Sequence, residues 1–304
     1  MFTGMSHSTT NNGRAATSFH NVARGNDYLY EMKVWDEEHE IGPKSIINAV
    51  ELDGTQSGEE EVQAALDALM EHPTLPPFLS RLLIQRFTSS NPSSAYLARV
   101  SRVWLDDATG ELADLGEVIK AILLDPEALS CEVGHQFCGK VREPIIRYAS
   151  LARAFNLVSG SGKYWTNQPL LNDDFGQFPM LSPSVFNFYL PDFAPEGEFR
   201  LAGMVSPELQ LASLSQMLRS DSRFAASVEE SGVFGSFDFT KELALANRPE
   251  LLLERVNLLM TGGRLRPQTK VVILNAIQSE VTDLEKVRTA IYLVSQSMEC
   301  IVLD

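Results

Sequence analysis

Apolar residues recur at i, i+4, i+7 and i+8 through most of this chain, and that spacing constrains its fold more than any other feature. Val62, Leu66, Leu69 and Met70 fall on one helical face, with Glu59, Glu60 and Glu61 at the positive end and Pro73 as the stop. Phe78, Leu82, Leu83 and Phe87 form a second stripe. Asn91-Pro92 then supplies an N-cap and a proline at the first helical position, ahead of a third stripe of Tyr96, Val100, Val103 and Trp104. Leu115, Val118, Ile119 and Ile122 repeat the spacing up to Asp125-Pro126. Glu143-Pro144 opens another helix, carrying Ile145, Tyr148, Ala149, Ala152 and Phe155 on one face. Further helices are expected at Ser206-Pro207, from Pro249 to a stop at Gly262-Gly263, at Gln268, and at Asp283 with Val287, Ile291, Val294 and Met298 inward. Period-two alternation is confined to Tyr28 to Trp35, ahead of a turn-like Asp36 to Pro43. The pattern predicts a mainly α fold, a multi-helix array with one small β hairpin near residues 28–47. Residues 1–27 read as an irregular lead-in and 28–304 as a single helical domain. The stretch 158–205, dense in Gly, Pro, Asn and aromatics, reads as a long ordered loop.

Composition narrows the partners. Lys plus Arg is 25 against 40 Asp plus Glu, a formal net charge of −15, with no cationic run. Nucleic acid is therefore excluded as an expected partner, and so is an anionic membrane surface. No apolar run approaches the roughly 18 residues of a transmembrane segment. Met1 to Gly13 is polar and lacks the basic-then-apolar order of a signal peptide. The cysteines Cys131, Cys138 and Cys300 are too few for a disulfide scaffold. Cys131 and Cys138 are spaced to close a small loop in an oxidising compartment, or else stand as two unrelated thiols.

Motifs for known chemistries start and then fail. His39-Glu40 lacks the second histidine of a zinc-protease helix, because Pro43 stands in its place. Asp53 to Gly58 opens like a calcium loop, but Ala64 occupies the position of the bidentate carboxylate. Gly160-Ser161-Gly162-Lys163 is a broken phosphate loop, with Leu157 for its first glycine and Tyr164 for its magnesium ligand. What remains is a sparse set of candidates. His39 sits among Asp36, Glu37, Glu38 and Glu40; alternate residues share a strand face, which pairs Glu37 with His39. His72, or a loop carboxylate such as Asp173 or Asp174, would complete a metal site of mixed nitrogen and oxygen ligands. A solvated acidic turn is the alternative. Arg142 and Glu143 at a helix start read as an enclosed structural ion pair, with Glu143 suited to a cap. Trp165, Phe186, Phe188 and Tyr189 give the long loop the side chains that dominate interfaces, or that pin a loop to its own helices. No cofactor is assigned. The residues leave two function classes open: a helical scaffold or interaction protein, and an enzyme, metal-assisted, centred on His39.

Several stretches in order carry a resemblance. They are Phe2-Thr3-Gly4; His39 with Gly42-Pro43-Lys44; His72-Pro73 through Phe78, Arg81, Leu82, Gln85, Arg86 and Phe87; and Asn91-Pro92 with Tyr96 and Arg99-Val100. Ala121 to Ala128, Gly139 to Pro144, Ser182 to Tyr189 with Pro191, and Ser206-Pro207-Glu208 continue it. In these the chain resembles the large, mostly bacterial family catalogued as domain of unknown function 1800. The resemblance implies a mainly helical, exported protein without an established activity. It also implies a secreted partner of the sulfatase or alkaline-phosphatase-like type, commonly encoded beside it, and hence an extracytoplasmic location. Members normally place a signal peptide and further helices before the Phe-Thr-Gly stretch, so the chain reads as the carboxy-terminal part of a longer protein, missing upstream helices.

Overall fold

Helices occupy the segments that the apolar spacing and its breakers delimit, yet several bury a different face from the one the spacing marks. The computed structural model describes residues 4–22, 30–105, 113–130, 139–159, 174–178, 181–211, 214–229 and 236–303. It divides into two compact units, Met1–Leu79 and Ser80–Asp304. Among the described residues no helix is long and apolar enough to cross a membrane.

In the first unit, β1 (Met5–His7) pairs antiparallel with β2 (Met32–Val34), and β3 (Lys44–Ser45) with β4 (Glu51–Leu52). The expected hairpin near 28–47 is thus replaced by two ribbons, each drawing one strand from outside that window; residues 28 and 29 lie outside the described residues. Strand periodicity marks a strand but not its partner. Helix α1 (Gly58–Met70) starts at a reciprocal cap in which Ser57 Oγ accepts from Glu60 N and the Glu60 carboxylate accepts from Ser57 N. The face it buries is Gly58, Glu61, Ala65 and Ala68, while Leu66, Leu69 and Met70 are exposed. Small residues explain the reversal. A Cβ on Gly58 would stand 2.3 Å from Val34 Cγ1, so only glycine lets the helix come this close to β2. The stop at Pro73 stands: α1 ends at Met70 and α2 (Leu75–Phe87) follows.

The second unit holds α3 (Ser94–Val103), α4 (Leu115–Leu124), α5 (Pro126–Leu129) and α6 (Pro144–Ala154), with β5 (Lys140–Val141) between the last two. Then come α7 (Glu198–Leu201), α8 (Leu214–Glu229), α9 (Thr240–Leu243), α10 (Pro249–Thr261), α11 (Pro267–Ser279), α12 (Asp283–Ser295) and α13 (Met298–Ile301). The closing strand β6 (Val302–Leu303) pairs antiparallel with β5. One apolar core joins Leu151 and Phe155 of the α6 segment, Phe224 of α8, Leu252 and Val256 of α10, Ile273 and Ile277 of α11, and Val287, Ile291 and Val294 of α12. Helix α10 ends as its glycines predict. Gly262 is left-handed (φ 68°) and Gly263 N reaches back to Asn257 O. Some expectations shift: Met298, Phe78, Phe87 and Leu115 are exposed. The N-cap of α3 is Ser93, which accepts from Tyr96 N, not Asn91.

Tyr96 of α3 is fully buried, and its hydroxyl donates to the Ile122 carbonyl of α4 at 2.7 Å. Tyr96→Phe keeps the ring but strands that carbonyl. We expect a loss of about 1–3 kcal/mol in a urea unfolding curve at unchanged slope.

Candidate functional site

Buried charged clusters occur in both units, and two of them gather residues from several segments. In the first, Glu61 of α1 lies between Lys44 Nζ, 2.8 Å from its Oε1, and His39 Nε2, 3.0 Å from its Oε2, with the carboxylate side chain 1 % exposed. The Lys44 hydrogen bond, helped by His39 and opposed by burial, holds Glu61 below the usual carboxylate range. Both carboxylate oxygens are engaged, so the cluster braces α1 against the 39–44 segment. The other residues marked for a metal stand elsewhere. Glu37 Oε1 accepts from Phe19 N at 2.7 Å, His72 Nδ1 meets Thr74 Oγ1 at 2.8 Å, and Asp174 pairs with Arg223 at 2.6 Å. Among the described residues no group of three or more His, Cys, Asp or Glu is placed to hold a metal ion. Asp173, Cys131, Cys138 and Trp165 lie outside the described residues.

The second cluster forms where α2 ends. A helix leaves its last carbonyls without intrahelical donors, and here Lys140 of β5 supplies them, donating to Gln85 O at 2.8 Å and Arg86 O at 2.9 Å. Lys140 Nζ also lies 3.0 Å from Glu208 Oε1, both side chains being buried. Gln85 donates through Nε2 to the carbonyls of Ser90 and Pro191, and Ser90 N reaches Gly139 O. Asn91, freed from capping, forms a two-sided amide pair with the Val205 backbone: Nδ2 donates to Val205 O and Oδ1 accepts from Val205 N. Segments far apart in sequence are thereby tied to the end of one helix.

Glu143 joins the same assembly. Its position before Pro144 suits a cap, but its side chain makes no cap bond. Instead it accepts from Gln177 Nε2 and from the Tyr189 hydroxyl, and lies 3.4 Å from Arg86 Nη1. Arg86 Nη1 also donates to the Tyr189 hydroxyl, and its guanidinium stacks on the Tyr189 ring at 4.3 Å. Burial, and then the charge of Glu143, push the Tyr189 phenol far up, so it stays a proton donor. Arg142 points away, with Nη1 3.4 Å from Met260 O. The two neighbours therefore take separate partners: Glu143 is paired to Arg86, not to Arg142.

These contacts fix the base of the 181–191 loop. Tyr189 is buried, Phe188 half-buried and Phe186 exposed. Next to them opens a pocket of ≈ 180 Å³ walled by Leu82, Gln85, Arg86, Phe186, Pro191 and Glu208. The chain matches the family model described as "Protein of unknown function (DUF1800)" over residues 1–302. It belongs to the DUF1800 family. No curated protein and no solved structure matches it. In this DUF1800 chain, Gln85, Arg86, Asn91, Lys140, Glu143, Tyr189, Pro191 and Glu208 all come from stretches that carry the resemblance, and all meet here. Lys140, Glu208, Gln177 and Gln85 were not marked by sequence spacing as site residues, because each pairs with residues tens of positions away. The order of the family-like stretches was the one signal that grouped most of them.

Proposed function

We propose that this chain is a helical interaction protein whose contact surface is the 181–190 loop. The observation that supports it most is the contrast along five residues: Tyr189 is locked beneath the loop, while Val185 is 95 % exposed at its tip. The tip is ordered by Asn187 N to Ser184 O (3.1 Å) and Phe186 N to Ser184 Oγ (3.1 Å), with Asn187 in the left-handed region (φ 72°). Leu181 and Phe186 expose apolar surface beside Val185. A rigid tip loses little entropy on binding, which is how preorganised loops gain affinity. Arg86 and Tyr189, both bonded to Glu143 beneath, hold the loop in place. The partner in this reading is the secreted sulfatase-like or phosphatase-like protein that the family resemblance suggests.

Co-expression with that neighbouring protein tests the reading. The two should co-purify, and Val185→Asp should weaken the complex about tenfold or more while leaving the Tm unchanged. Failure of the two to associate, or full affinity in Val185→Asp, overturns it.

A further inference from the structure

We draw no further inference here: the strongest candidate, the pocket of ≈ 180 Å³ between the end of α2 and the 181–191 loop, presents the partly exposed Arg86 guanidinium, and nothing in the structure shows what would occupy it.

Discussion

Lys140→Met is expected to destabilise the second unit by about 3–5 kcal/mol, the usual cost of removing one side of a buried ion pair. Lys140 does two jobs at once: it closes the end of α2 through the carbonyls of Gln85 and Arg86, and it neutralises Glu208. Without it the Glu208 carboxylate, 1 % exposed, keeps among the described residues only the Ser90 hydroxyl at 3.4 Å. Methionine has nearly the same length and flexibility, so little of the loss comes from packing. Scanning calorimetry should show the Tm falling by on the order of 10 °C. The double variant Lys140→Met, Glu208→Leu should recover part of this, because removing both charges spares the stranded anion. A double variant as unstable as the sum of the singles would place the effect in packing instead of charge.

Glu61→Gln should be nearly as costly for the first unit, about 3–5 kcal/mol, because it leaves Lys44 without its carboxylate and weakens the bond from His39. Hydrogen exchange on the full chain should report it as faster exchange through α1 and the 32–34 strand. The pH dependence has a definite sign. Lys44, then His39, depress the folded-state carboxyl below its ordinary value of 4.5. The stabilisation is therefore complete above pH 4.5 and is lost as pH falls from there through the folded-state value. In Glu61→Gln that acid-dependent loss of protection should vanish from α1. An unchanged acid profile would assign it to a different carboxylate.

How much of this was legible beforehand differs by length scale. The helix from Pro249 stops at Gly262-Gly263, the break falls at Pro73, and Val287, Ile291 and Val294 point inward as spacing requires. The misreadings have a common origin. Leu66, Leu69 and Met70 make a larger apolar stripe than Ala65 and Ala68, yet α1 buries the alanines with Glu61, because Gly58 and the alanines admit a close neighbour and Glu61 finds Lys44 and His39. Asn91 and Glu143 both have the local context of a cap, yet Ser93 caps α3 while Asn91 binds the Val205 backbone and Glu143 binds Tyr189, Gln177 and Arg86. A side chain with one local partner on offer left it for better partners brought from afar.

The sequence by itself determined the mainly helical class, most helix ends and, through ordered stretches, the family. These depend on hydrogen bonds and backbone torsions within about four residues, where a proline, a glycine or a capping serine acts regardless of the rest of the chain. Only the tertiary structure decided which face each helix buries, which charges pair, and that the end of α2, the 139–144 segment and the 181–208 segment meet. The reason is physical. A buried charge is tolerated only beside a specific opposite charge or a set of donors, and for Glu208, Glu143 and Lys140 those partners stand 34 residues or more away in sequence.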